Sequence, residues 1–261
     1  MQLSTVLVAF LAAAVTAAPV EPKVDTKDTR SAINSLGTLS DYFNLLASKA
    51  QAAKHGDQAA ICDLSKAKMP IAPTPLPEPA KGLKLHHVAV GRGTQNYTCE
   101  TSDSSSVPAA AGAVANLYNA SCLAALYPDL LERIPAMAVH LNISLSSGLS
   151  PASMLESGVH YFTNATTPFF DLRTQSENLG EAPCAKNTSS VAPSDAAVGQ
   201  NGDAAVPWLQ LTTLDGATDG IKEVYRVTTA GGSAPATCSG LERTFQVQYA
   251  AVYWFYAGAS Q

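Results

Sequence analysis

The sequence predicts a mainly β domain, an antiparallel β-sandwich or barrel, with an N-terminal amphipathic helix and short additional helical turns. Three observations predict this class. Short segments rich in β-branched and aromatic residues follow one another, apolar and polar positions alternate within them, and turn-forming residues separate them. Several short strands at this spacing are typical of sandwiches and barrels.

The N-terminal part of the chain divides into four segments before the β-rich domain, which we place at residues 83–261. An uncharged apolar stretch followed by small residues predicts a secretory signal peptide over 1–17, and a polar arm follows over 18–37. Apolar positions at helical spacing predict an amphipathic helix over 38–55. A proline-rich connector over 56–82, with its extended polyproline-like run, leads into the domain.

The β-rich domain opens with a period-two run over residues 83–90. The glycines of the run 91–93 then supply turn chemistry, so the pattern predicts a tight hairpin whose second strand ends at Cys99. The following alanine-rich stretch is ambiguous. It alternates as a strand would at first, and its later part fits one or two helical turns, broken by Pro128 and ended at Pro135.

Five later segments carry the strand signal. They are VHYFTN, PFFDL, VPWLQLTTL, IKEVYRVTTA and TFQVQYAAVYWFYAG. The last is the strongest, because apolar residues on both of its faces predict a strand that is covered on both sides. Residues 185–205 are low in apolar content, and we expect them to form a mobile loop.

Sequons and cysteines both indicate export into an oxidising compartment. Two disulfides and one unpaired thiol are the expectation for five cysteines there, and their spacing is too wide for a zinc ribbon or a C-x-x-C motif. Cys184 is the candidate for the unpaired thiol because it lies in a polar segment beside a sequon. The disulfide candidates are Cys62, Cys99, Cys122 and Cys238. The N-x-S/T sequons, exposed if glycosylated, are at Asn96, Asn119, Asn142, Asn164 and Asn187.

Composition excludes several classes of partner. Lys and Arg number 16 against 21 Asp and Glu, so the formal net charge is −5, which argues against a nucleic-acid partner. An apolar fraction of 46% argues against a disordered chain. No segment after the signal approaches the roughly 18 consecutive apolar residues of a membrane span.

The sequence contains none of the common catalytic or cofactor-binding motifs. It has no H-E-x-x-H, G-x-S-x-G or P-loop motif and no clustered Cys and His ligands, so we predict no metal and no cofactor. His160 and Asp171, nearby in sequence, are the one pair that could act as a general base with an orienting carboxylate, or as part of a metal site. The alternative is a structural histidine in a strand.

Two isolated arginines lie within apolar strand contexts. Arg226 and Arg92 can each anchor an anionic ligand or simply pair with a carboxylate such as Asp171 or Glu223. Aromatic residues at strand positions could line a sugar-binding face, although such residues are usually core. These are Trp208, Tyr225, Trp254 and Tyr256.

Six runs together resemble the domain-of-unknown-function 3455 family of secreted fungal proteins with bacterial relatives. The runs are GRGTQNYTC (91–99), GAVANLYNASC (112–122), GVHYF (158–162), VPWLQL (206–211), VYRVTTAGGSAPATC (224–238) and VQYAAVYWFY (247–256). The resemblance implies no catalytic residues to carry over. Some relatives carry a malate dehydrogenase label, but the dinucleotide fingerprint fails here because Asn96 stands at its third glycine position.

The sequence therefore favours a secreted, N-glycosylated, non-enzymatic protein, extracellular or associated with the cell wall, that binds a carbohydrate or another wall component through a face of the β domain. The alternative is an extracellular enzyme of unassigned reaction that uses His160, Asp171 and Arg226. Those three side chains should then converge in one pocket. A malate dehydrogenase is a third possibility that rests on the family label alone.

Overall fold

The computed structural model describes residues 62–141 and 156–259. The predicted signal peptide, polar arm and amphipathic helix, together with the sequon at Asn142, lie outside these residues. The described chain forms eight antiparallel strands that close into a barrel, in which each strand pairs with its neighbours in sequence and the last pairs with the first. The mainly β, antiparallel class is confirmed, and of the two predicted architectures the chain adopts the barrel.

The strands follow sequence order around the barrel. They are β1 (Lys84–Thr98), β2 (Ala109–Asn119), β3 (Glu156–Phe162), β4 (Pro168–Arg173), β5 (Asn178–Ser190), β6 (Trp208–Thr213), β7 (Ile221–Gly231) and β8 (Thr244–Ala257). Two helices, α1 (Ser121–Leu126) and α2 (Pro128–Ala138), follow β2, and a short 3₁₀ turn occupies Leu64–Lys66.

β8 shows how the alternation of side chains builds two cores. Tyr249, Tyr253 and Phe255 face the barrel interior with the aromatic and aliphatic side chains of the other strands. Val252 and Trp254 face outward into a second apolar cluster. The prediction that this strand is covered on both sides is confirmed.

The outer cluster is covered by the two helices and by part of the connector. Leu123 of α1 and Leu131 of α2 pack on the outer faces of β1, β7 and β8, and Ala72 of the connector joins them. The disulfide Cys62–Cys122 ties the connector to α1, and Cys99–Cys238 ties the end of β1 to the segment before β8. The two helices and the connector therefore form a layer on one outer side of the barrel, and this layer covers Trp208, Tyr225 and Trp254.

The predicted hairpin at residues 91–93 is wrong, because β1 runs through them without a turn. Both glycines are required by close packing and not by a turn. A Cβ on Gly91 would lie 2.5 Å from the ring of Tyr253, and one on Gly93 would overlap the backbone of Val114. Glycine in a strand can mark such a close approach as well as a turn.

Two further expectations about local structure are wrong. α2 does not end at Pro135 but continues to Ala138. Ile134 and Ala138, on either side of this proline, pack against β7 and β8. The expected loop over 185–205 begins later, because β5 extends to Ser190. β5 lacks a run of β-branched residues, so pairing with β4 and β6 determines its conformation more than propensity does.

In the part of the chain that the structure describes, no helix combines the length and the apolar character needed to cross a membrane.

Candidate functional site

The structure does not bring His160 and Asp171 together as a catalytic pair. His160 pairs with Phe170 across β3 and β4 and faces the barrel interior, whereas Asp171, one residue further, faces outward. On the outside, Asp171 accepts two hydrogen bonds from the guanidinium of Arg173, at 2.8 and 2.9 Å, which hold the pKa of its carboxyl below the usual value.

His160 is a buried, neutral histidine inside the barrel. Its ring stacks on Phe170 with a centroid separation of 4.4 Å, and Nδ1–H donates to the carbonyl of Phe169 at 2.9 Å. Because that acceptor is a carbonyl, the proton lies on Nδ1 and the lone pair on Nε2. Burial lowers the pKa of His160 to about 4, and the nearby charge of Arg226 adds to the decrease.

Arg226 does reach the neighbourhood of His160, as the enzyme hypothesis requires of it. It lies on β7 between Leu209 of β6 and Tyr253 of β8, and all three side chains face the barrel interior. Arg226 is only 8% exposed. It pairs with neither Asp171 nor Glu223, the two acids named as its structural partners, because both lie on the outer face of the barrel.

Arg92 points out of the barrel and has a structural role. Its guanidinium donates five hydrogen bonds, all to backbone carbonyls, at 2.8 to 3.3 Å. The acceptors are Ala138, Gly93, Tyr249, Val139 and Leu141, so three of the five belong to the C-terminal end of α2 and the turn after it. A cation at a helix C-terminus satisfies carbonyls that have no partner within the helix.

Of the predicted aromatic binding residues, Tyr225 and Trp254 are buried in the outer cluster. Tyr225 donates to Glu223 at 2.8 Å and lies within a hydrogen-bonded group with Gln210. Burial raises the pKa of Tyr225 well above its usual value, and the Glu223 carboxylate raises it further. Tyr256 is half-buried, and burial raises its pKa to about 12.

Trp208 lines a groove that none of the other three aromatic candidates lines. The groove has a volume of about 350 Å³ and lies between α2, Pro70 of the connector, the segment before β6 and the end of β7. Its polar lining combines Glu132, Arg133, Asp195 and the strained residue Thr228, whose φ of 49° is unusual for a β-branched side chain. Trp208 is 4% exposed, and its indole N–H is buried without a partner.

Sequence reasoning missed the charged residues of this groove, because they come from two separate segments, α2 and the segment before β6, and no motif joins them. His87, for which the sequence predicts no functional role, lies inside the barrel against Phe255 of β8. His87 contacts the hydroxyls of Ser121 and Ser157 at 3.1 and 3.0 Å, and burial lowers its pKa to about 3. Only the period-two pattern of β1 could have indicated that His87 faces inward.

The structure shows the pairing of the cysteines and the exposure of the described sequon asparagines. Cys184 is the free cysteine, as expected, but the reason given for it is wrong, because it lies on β5 facing the apolar interior. Burial raises the pKa of its thiol to about 12. Asn164 and Asn187 are exposed, whereas Asn96 and Asn119 are half-buried. Among the described residues, no three His, Cys, Asp or Glu side chains group as metal ligands.

Comparison with known families places the whole barrel in one family. A family model described as "Protein of unknown function (DUF3455)" matches residues 79–257, from the end of the connector to the last residue of β8. The chain belongs to the DUF3455 family. The resemblance expected from the sequence is thereby confirmed. No curated protein and no solved structure matches the chain. The DUF3455 domain contains Arg226, His160 and nearly all of the groove at Trp208.

Proposed function

We propose that this DUF3455 protein is a secreted, N-glycosylated binding protein without catalytic activity, and that its ligand is a carbohydrate of the extracellular space or the cell wall. The groove at Trp208 is the proposed binding site. The observation that carries the proposal is the combination, in one groove, of a buried indole N–H without a partner and side chains of both charges.

Three features support an extracellular location. The apolar N-terminal stretch has the pattern of a signal peptide, five sequons are spread along the chain, and four cysteines form two disulfides. None of the described sequon asparagines lines the groove, so glycans at these positions leave it open.

The lining of the groove suits a ligand rich in hydroxyl groups. Glu132 and Asp195 offer acceptors, whereas Arg133 and the indole N–H of Trp208 are donors. An anionic ligand would meet two carboxylates, and a cationic ligand would meet a guanidinium. A sugar hydroxyl both donates and accepts, so a neutral saccharide can hydrogen-bond to side chains of either kind.

A second, larger hollow of about 520 Å³ is less suited to this role. Its lining comes almost entirely from the connector, and only Leu83 and Tyr256 belong to the barrel or its immediate start. Apolar and proline side chains predominate there, with Lys68 and Glu78 as polar exceptions.

The experiment is a binding titration of the purified, glycosylated protein against soluble β-1,3-glucan, mannan and xylan oligosaccharides, by calorimetry. We expect saturable binding to one polymer class without release of reducing sugar. Trp208→Phe keeps the ring and removes the N–H, and should weaken binding by about five- to tenfold, the value of one hydrogen bond to a buried donor.

Trp254→Phe is the matched control. Trp254 is also buried with an unpartnered indole N–H, but it does not line the groove. Both substitutions remove one indole N–H from the same outer cluster, so a general effect on packing would appear in both variants. The proposal is overturned if no saccharide binds, or if the two variants lose affinity equally.

A further inference from the structure

A second site, independent of the groove, is indicated by Arg226. The guanidinium lies inside a closed barrel among aromatic side chains, with Tyr253 opposite on β8 and the ring of His160 nearby. A buried charge is unfavourable unless it is paired with an opposite charge or fully hydrogen-bonded. The question is therefore which group of the protein neutralises Arg226.

None of the described acidic residues does so. The ion pairs within the described residues both involve Arg173 on the outside of the barrel. Glu223, the buried acid of β7, is on the outer face, where its carboxylate accepts hydrogen bonds from Tyr225, Gln210 and the backbone of Ala80. Arg226 thus has no carboxylate partner within the part of the chain that the structure describes.

The hydrogen bonds of Arg226 are also incomplete. Nη2 donates to the carbonyl of Pro207 at 2.9 Å, whereas Nε, which is buried, has no acceptor. The guanidinium also lies against the Tyr253 hydroxyl, which is 2.9 Å from the hydroxyl of Tyr249. Two phenol hydroxyls cannot neutralise the charge.

Gln95 supplies a second donor without a partner on the same side of the barrel. Its side chain lies beside the Tyr249 hydroxyl, and its Nε2 is buried and makes no well-formed hydrogen bond. The hydroxyls of Tyr249 and Tyr253 therefore connect Gln95 to Arg226. The buried groups that lack partners inside the barrel, a guanidinium N–H and an amide N–H, are both donors, and none is an acceptor. Two buried donors without acceptors, one of them cationic, are the groups that an anion would satisfy.

We propose that a small organic carboxylate binds inside the barrel, with its oxygens on Arg226 and the Gln95 amide. The planar guanidinium matches a carboxylate in geometry as well as charge. The rings of Phe170, Tyr253 and Phe162 are grouped around His160, so the body of the ligand would contact aromatic side chains. Because His160 is neutral with its lone pair on Nε2, it can also accept a hydrogen bond from a hydroxyl on the ligand.

The experiment uses benzoate, acetate and the uncharged benzyl alcohol as probes, with chloride and sulfate at matched ionic strength. Thermal unfolding and calorimetry of the full mature protein are the readouts. We expect benzoate to raise Tm saturably and to bind more tightly than acetate, while benzyl alcohol, chloride and sulfate have little effect. Arg226→Gln should weaken benzoate binding at least tenfold, and Gln95→Leu should weaken it less.

Two controls make the result decisive. Arg243→Gln removes an exposed arginine and should leave benzoate affinity unchanged. Trp208→Phe should also leave it unchanged, so failure of the saccharide proposal and failure of the carboxylate proposal are distinguishable. If Arg226→Gln does not fold, Gln95→Leu and the wild-type probe series still decide. Absence of benzoate binding, equal stabilisation by chloride or sulfate, or unchanged affinity in Arg226→Gln or Gln95→Leu overturns the proposal.

Discussion

Two buried arginines of this barrel, Arg92 on β1 and Arg226 on β7, are held in opposite ways. Arg92 points outward and directs all five of its N–H donors to backbone carbonyls. Arg226 points inward, donates to the carbonyl of Pro207 and leaves Nε without an acceptor. Neither has a carboxylate partner among the described residues.

The difference shows that burial of a charge does not by itself indicate a binding site. A guanidinium whose donors are all satisfied by carbonyls has a structural role, and at Arg92 that role is to hold the end of α2 against the barrel. A guanidinium with an unsatisfied donor, connected through two tyrosine hydroxyls to another unsatisfied donor, still has capacity to bind an anion.

The largest effect expected of a single substitution at neutral pH is that of Arg92→Met. This substitution removes hydrogen bonds to five carbonyls, several of them buried at the end of α2. The free energy of unfolding should fall by about 3 kcal/mol, since each buried carbonyl left without a donor costs about 1 kcal/mol or more. Urea denaturation measures it. A loss below about 1 kcal/mol would contradict the structural role.

The next effect is the acid sensitivity of the two buried histidines. Burial lowers the folded-state pKa of His87 to about 3 and of His160 to about 4, both below the unfolded value near 6.5. The unfolded state therefore binds more protons, and stability falls as the pH decreases from about 6.5 towards 4. Each histidine contributes up to about 1.4 kcal/mol per pH unit over that interval.

His160→Asn and His87→Asn should each flatten this dependence, as measured by denaturation between pH 7 and 5. NMR titration separates the two residues. A carboxylate on Arg226 should raise the pKa of His160, because the ligand neutralises a charge that lowers it, and should leave His87 unchanged. Equal shifts at both histidines would mean that the anion does not act at Arg226.

A smaller effect is expected for Arg226→Met. Replacing a buried charge that lacks a full set of partners with an apolar side chain should leave the free energy of unfolding within about 1 kcal/mol of the wild type, or raise it. The comparison is made in buffer free of carboxylates, beside Arg92→Met. A loss as large as that of Arg92→Met would show that Arg226 has sufficient partners within the protein.

The smallest effect concerns one glutamine near each arginine. Gln200 donates to the carbonyl of Val139, which also accepts from Arg92, so Gln200→Leu should lower stability by a few tenths to about 1 kcal/mol. Gln95→Leu removes a buried amide N–H without a partner and should leave stability unchanged or raise it by a similar amount. Paired chemical denaturation curves test the sign of each change.

Much of the fold could be predicted because the periodicity is local. The segments that became β3, β4, β6, β7 and β8 carry alternating apolar residues that any inward-facing strand needs. β5 could not be predicted in the same way, because its interior positions are filled by small residues such as Ala182 and Cys184, whose burial depends on neighbouring strands. Glycines in β1 were misinterpreted because the sequence does not show what they accommodate, the ring of Tyr253 at Gly91 and the backbone of Val114 at Gly93.

The candidate sites were less predictable, because they depend on which face each residue takes. Arg226 and His160 were singled out because they are polar residues within apolar strand segments. Their partners could not be predicted, because the sequence does not show which face of the sheet each acid takes. Asp171 is on the opposite face of the sheet from His160, and Glu223 is on the opposite face from Arg226. The groove at Trp208 draws on segments far apart in the chain, and no short motif could have indicated it.

The most direct test of the anion site is a crystal structure of the protein with 4-bromobenzoate, using the anomalous signal of bromine to place the ligand. We expect the bromine inside the barrel near Phe170 and a carboxylate oxygen about 3 Å from Nε of Arg226. A barrel interior in which Nε of Arg226 meets only ordered water, with the bromine absent or bound elsewhere, would contradict the account.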